Sequence, residues 1–181
     1  MERKLLRTLK NGVRIWSYGT MVGGDKDVDN TVRLMKKYAW NDSQDEAIIR
    51  IANEIKQKYS TDIERIKAAY MYVVEHIKYK EDGENELVAS PRHSLTWLGE
   101  GDCDCMTTAV FALLLALGYR RLYAKVIAWK EENVENEFTH VYSLAFIPSL
   151  NIVTPLDAVM MQYGFGHEKE PVRRIKIYKI A

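Results

Sequence analysis

Gly101-Asp102-Cys103-Asp104-Cys105-Met106-Thr107-Thr108-Ala109-Val110-Phe111-Ala112-Leu113-Leu114-Leu115-Ala116-Leu117-Gly118 is the stretch on which the fold turns. Asp102-Cys103-Asp104-Cys105 leads into a helix over 106–117, and Gly118 supplies a C-terminal stop. Val110, Phe111, Leu113, Leu114, Leu115 and Leu117 cover that helix nearly all round, so the pattern predicts a buried central helix. The apolar run from Ala109 to Leu117 is far short of the ~20 residues a membrane span needs, so no membrane partner is expected.

Outward from this helix the period changes. On the C-terminal side Leu122, Ala124, Val126 and Ala128 alternate with Tyr123, Ile127 and Trp129, as in a strand with two unlike faces. Phe138, His140, Tyr142, Leu144 and Phe146 share one face of a second strand over 138–147. Further strands are expected over 152–157 and 175–180, with Lys130 to Glu137 as a charged turn. On the N-terminal side three helical patterns precede the central helix. The first carries Val32, Leu34, Met35 and Tyr38, with Asn30 and Thr31 as caps. The second opens with Ser43-Gln44-Asp45-Glu46 and the third with Thr61-Asp62-Ile63-Glu64, both with the spacing of a capping box. Residues 81–101 read as a long loop, a kind that is often functional. Helices first and strands later, with hairpin-length connections, predict an α+β fold whose Cys-bearing central helix packs on an antiparallel sheet. Residues 1–29 read as a separate arm, with a loop over 19–30. Residues 30–181 read as the domain.

Composition narrows the function. Lys and Arg number 26 against 25 Asp and Glu, which excludes a nucleic-acid binder acting through bulk charge. At 47% hydrophobic and 28% charged, the chain is neither disordered nor a disulfide scaffold. Its two cysteines, Cys103 and Cys105, are too close for a useful staple and point to a reducing compartment. The charged start Met1-Glu2-Arg3-Lys4 lacks the apolar run of a signal peptide, so a cytoplasmic protein is expected.

The chemistry concentrates on Cys103, His140 and Asp157. A thiol at a helix N-terminus meets unpaired amides and the positive end of the macrodipole, which favour thiolate. Those amides can also receive the oxyanion of a tetrahedral intermediate. An imidazole can take the thiol proton and return it to a leaving group. A carboxylate on the far ring nitrogen fixes the tautomer. Trp97, Asp104 and Tyr79 are the candidates for oxyanion donor or cleft wall. His93 could border the same cleft. His76 and His167 carry no comparable signal. Asp102, Cys103, Asp104 and Cys105 with His140 fall short of a zinc site, which wants wider Cys spacing and four N or S ligands. A Cys-x-Cys redox pair lacks the two-residue spacer of the common motif. No cofactor or metal is expected.

Several segments taken in order resemble the transglutaminase-like cysteine peptidase superfamily, especially its small bacteriophage and prophage members. These are Asn30-Thr31-Val32-Arg33-Leu34-Met35, the helix Ala69 to Tyr79, Ser90-Pro91-Arg92-His93-Ser94-Leu95, Gly101-Asp102-Cys103-Asp104, Leu113 to Tyr119, Thr139-His140-Val141-Tyr142 and Pro155-Leu156-Asp157. The resemblance implies a papain-like α+β core with Cys103 as nucleophile, His140 as base and acid, and Asp157 as orienting group. It implies acyl chemistry on peptide or side-chain amides, by hydrolysis or transfer. It also implies a protein or peptide substrate, met in a host cytoplasm or a virion. Cys105 stands where the family often has Asp, and Leu150-Asn151-Ile152-Val153 replaces a Gly-x-Trp-like turn. The alternative is a catalytically silent domain acting as a phage structural, assembly or protein-binding component.

Overall fold

The computed structural model describes residues 4–8, 14–17, 25–82, 88–129, 138–170 and 172–181, with side chains from residue 28 onward. The expected charged turn over 130–137 lies outside the described residues.

The buried helix begins at the cysteine itself. Asp102 is its N-cap, accepting from the Cys105 amide at 3.3 Å, and the helix runs Cys103–Leu117 (α5). Gly118, at φ +103°, ends it. The Gly118 and Tyr119 amides turn back onto the carbonyls of Leu115 and Leu114, closing the last turn as a left-handed residue allows. From Asp104 to Leu115 every residue of the helix is buried. Three helices surround it: α1 (Asp25–Asp42), α2 (Glu46–Lys58) and α3 (Asp62–His76). Met35 and Ala39 of α1, Ile48 and Ala52 of α2, and Ile66, Ala69 and Val73 of α3 are their inward residues.

Two expected helix starts need correction: Asn30 and Thr31 lie inside α1 rather than at its cap. The loop read over 19–30 is helical from Asp25. Ser43 does not cap α2; its hydroxyl donates back to the Trp40 carbonyl, and Asp45 caps by accepting from the Ala47 amide at 2.9 Å. The Thr61–Glu64 capping box forms as expected on α3.

The fourth side of α5 is covered by an antiparallel sheet. Its strands are β5 (Leu122–Trp129), β6 (His140–Ile147), β7 (Ile152–Leu156) and β8 (Val172–Lys179), in the order β7-β6-β5-β8. The pairs Val126–Val141, Ala124–Ser143 and Leu122–Ala145 share one face, and the apolar members of these pairs join the core around α5. The pairs Ile127–His140, Lys125–Tyr142 and Tyr123–Leu144 share the other, where Ile127, Trp129 and Tyr142 form a second small core. β1 (Lys4–Thr8) and β2 (Arg14–Ser17) form a separate hairpin sheet.

The segment read as a loop over 81–101 is partly structured. Pro91 opens a short helix, α4 (Pro91–His93), continued by a wider turn over Ser94–Leu98. β4 (Glu100–Gly101) then pairs in parallel with β3 (Lys78–Tyr79).

Candidate active site

Cys103 is the first residue of α5 and is half-buried, while Cys105 is 2% exposed. The approach to Cys103 is set by the β3–β4 pair. The Lys78 amide donates to the Gly99 carbonyl at 2.9 Å and the Lys80 amide to the Gly101 carbonyl at 3.0 Å. This brings Tyr79 alongside the start of α5. Burial pushes its phenol up to about 12, with the charge of Cys103 adding to the effect. With its pKa raised, Tyr79 keeps its O–H at neutral pH, and the side chain is 49% exposed.

His140 and Asp157 are brought into contact. Nε2 of His140 lies 2.8 Å from Oδ2 of Asp157, and both side chains are almost wholly buried. A carboxylate oxygen accepts, so Nε2 is the donor, and in the neutral ring Nδ1 is then the acceptor nitrogen. Asp157 is itself fixed from several sides. Its Oδ1 accepts from the amides of Val159 and Met160 at 3.2 and 3.1 Å, and its carbonyl accepts from the Tyr70 hydroxyl at 3.2 Å. The His140 ring stacks on Trp129, with centroids 4.9 Å apart and planes 21° from parallel.

The helix end and the histidine strand are joined by one buried bond. Thr107 Oγ1 donates to the Val141 carbonyl at 3.0 Å. Cys103 lies one helical turn before Thr107 on the same face, about 6 Å along the axis. Helical side chains tilt toward the N-terminus, so the Cys103 side chain leans toward the N-terminal end of α5.

The other candidates are placed differently. Trp97 is 49% exposed, with Arg92 over its ring and His93 against its edge; among the described residues the structure gives its indole no hydrogen bond to the cysteine. Asp104 is 1% exposed and lies under the helix end rather than in an open cleft. Its carbonyl accepts from the Thr108 hydroxyl. Cys105 Sγ accepts from the Ala89 amide at 3.2 Å, and burial pushes its thiol well above the ordinary value, with Asp104 and Asp102 adding to the shift. The ligand atoms of Asp102, Asp104 and Cys105 lie within 4.8 Å of one another. Capping by Asp102 and the Ala89–Cys105 contact already explain two of the three as parts of the fold. His76 stacks on Tyr72 at the surface of α3. Tyr70, Thr107 and Trp129 hold the site although sequence reading gave them no role in it. Thr107 could have been found, because it stands four residues after the cysteine on one helix face.

A family model of the transglutaminase-like superfamily matches residues 49–151, more than half of the chain. The chain belongs to the transglutaminase-like superfamily. The match takes in Cys103 and His140 and stops short of Asp157, so the place of Asp157 in this transglutaminase-like domain rests on its bond to His140. No curated protein matches the sequence. Among solved structures, a candidate cysteine protease from Cytophaga hutchinsonii aligns with TM-score 0.52 and 16% identity, over 75% of this chain and 50% of that one. A TGase structure aligns with TM-score 0.46 and 16% identity, over 81% of this chain and 36% of that one. The first likeness agrees with the fold; the second is too distant to add to it. The transglutaminase-like chain spans half the length of the first and about a third of the second. Among its described residues no helix is long and apolar enough to cross a membrane.

Proposed function

We propose that this transglutaminase-like protein is a thiol enzyme that cleaves or transfers acyl groups at peptide or side-chain amide bonds. Cys103 is the nucleophile, His140 the base and acid, and Asp157 the orienting group. The observation that carries this reading is the buried His140–Asp157 bond through Nε2, which leaves Nδ1 available to a thiol. The Cys103 proton passes to Nδ1 and sulfur bonds to the amide carbon. The resulting oxyanion is met by α5 amides and the Tyr79 hydroxyl. The imidazolium then gives its proton to the departing nitrogen as the C–N bond breaks, leaving a thioester. Water or an amine, deprotonated by His140, attacks the thioester and releases Cys103. The segment resemblance to small phage proteins supports a protein or peptide substrate, met in a host cytoplasm or a virion.

Mapped alkylation across pH tests this without a substrate. An ordinary thiol labels roughly 200-fold faster at pH 9 than at pH 6. Cys103 is expected to label rapidly and almost evenly down to about pH 5, as a His-paired thiolate does. An ordinary profile at Cys103 would mark the domain as catalytically silent and turn attention to a binding role.

A further inference from the structure

Beyond Asp157, the His140 ring is braced by two aromatic rings, and both are held by one dipeptide. Trp129 covers one face of the imidazole, and Tyr142 stands 5.7 Å from it at a tilt of 32°. In the segment after β7, the Tyr142 hydroxyl donates to Oε2 of Glu168, and Lys125 Nζ meets the same oxygen at 2.5 Å. Lys125 and Tyr142 are direct cross-strand partners, so Glu168 closes a triangle over the β5–β6 pair. The next residue, Lys169, sets its ammonium 4.6 Å from the Trp129 centroid. Tyr142 is 1% exposed, and the Lys125 and Glu168 side chains are 12% and 27% exposed. The contact is therefore sheltered from water, where a charge-assisted bond keeps more of its strength than at the surface.

One hydrogen bond at Nε2 fixes a point of the imidazole and leaves the ring free to swing about that point. Nδ1 faces a thiol in one orientation only, so the neighbouring rings decide how often the base is in place. We propose that Glu168 is a positioning residue which, through Tyr142, holds the His140 ring in its working orientation, with Lys125 steadying the carboxylate. The inference rests on the reading of His140 as the base for Cys103. A role confined to pinning the loop would leave the imidazole unaffected.

The test follows Cys103 alkylation by iodoacetamide against pH in the full chain and in Glu168→Ala, Glu168→Gln, Tyr142→Phe, the Glu168→Ala/Tyr142→Phe pair and His140→Ala. The imidazole N–H signal of His140 is recorded by NMR on the same proteins. Glu168→Ala and Tyr142→Phe are each expected to slow labelling at pH 6 by about tenfold, the effect of one unit in thiolate pKa, and to speed solvent exchange of that N–H. The pair should be no slower than either single change, because both break one chain of contacts. Glu168→Gln, whose amide oxygen still accepts from Tyr142, should stay near the unmodified protein. If His140→Ala slows labelling while the Glu168 and Tyr142 changes leave labelling and the N–H signal untouched, Glu168 only pins the loop and the inference falls. Losses that add in the pair overturn it too. If His140→Ala labels like the unmodified protein, the base assignment itself fails and takes this inference with it.

Discussion

A Cβ built on Gly101 would stand 2.6 Å from the Cβ of Cys105, closer than such atoms come. The glycine before the cap is therefore required by the second cysteine, and Gly101→Ala must push the first turn of α5 away from β4. Overpacking of this kind costs about 1–3 kcal/mol, readable as a lower midpoint in urea, and Cys103 labelling should change with it. An unchanged midpoint would mean that the turn yields freely. Cys105 gives a prediction with a definite sign. Its folded thiol is raised above the ordinary 9.0, so the unfolded chain gives up that proton first as pH rises. Stability is intact below about pH 9 and falls above it, by up to about 1.4 kcal/mol per pH unit for one proton. Cys105→Ala should flatten this decline; an equally steep fall would assign it to other groups. The same shift keeps Cys105 a neutral thiol, so native alkylation should pass it by. Tyr79 belongs at this scale too. As an O–H donor to the oxyanion, its loss in Tyr79→Phe should lower kcat by about 10²-fold with KM little changed. A fall confined to KM would make it a substrate contact instead.

The elements show what a sequence pattern can and cannot decide. The capping box at Thr61 and Glu64 forms, and the neighbouring Asp62 carboxylate is taken up instead by the Ser149 amide. At Ser43 a second acceptor, Asp45, stands next to the helix and takes the cap, and a four-residue motif does not reveal that rivalry. The early start of α1 had a signal that was outweighed. Aspartates at positions 25, 27 and 29 of the sequence are the acidic composition that suits a helix start, but the glycines ahead of them make the whole stretch read as loop. Pro91 was legible in principle as a first helical residue. The two-residue parallel pairing of β3 with β4 was not, since pairs so short leave no period. The strands of the antiparallel sheet are legible because alternation over β5 and β6 is strong, whereas their spatial order, β7-β6-β5-β8, leaves no mark in the pattern. At the head of α5, Asp102 is 7% exposed and its side chain satisfies the Cys105 amide. Asp102→Ala should cost about 1 kcal/mol and loosen the turn that presents the thiol. Loss of stability without any change in Cys103 labelling would separate capping from presentation.

Across the whole molecule, what the sequence could not supply is contact between distant residues with no shared pattern. The His140–Asp157 pairing could be guessed from chemistry and chain order, whereas Glu168 against Tyr142 had no sign at all, lying in a stretch without periodicity. The division of the chain is the remaining question at this scale. Among the residues whose side chains are described, Val28 already packs on the core around α5, and β1 and β2 pair with each other rather than with the main sheet. A separable arm is therefore proposed, but with its edge before Asp25 rather than at residue 29. Asp29 takes a 2.5 Å hydrogen bond from the Tyr178 hydroxyl on β8, and Val28 packs on the core. A chain of residues 25–181 should melt within about 2–4 °C of the full protein, the shift that 1 kcal/mol produces in a domain of this size. A chain of residues 30–181 loses the first turn of α1 and its tie to β8, and should melt several degrees lower. If the longer truncation product melts as low as the shorter one, the hairpin is part of the folding unit and residues 1–24 are not an arm.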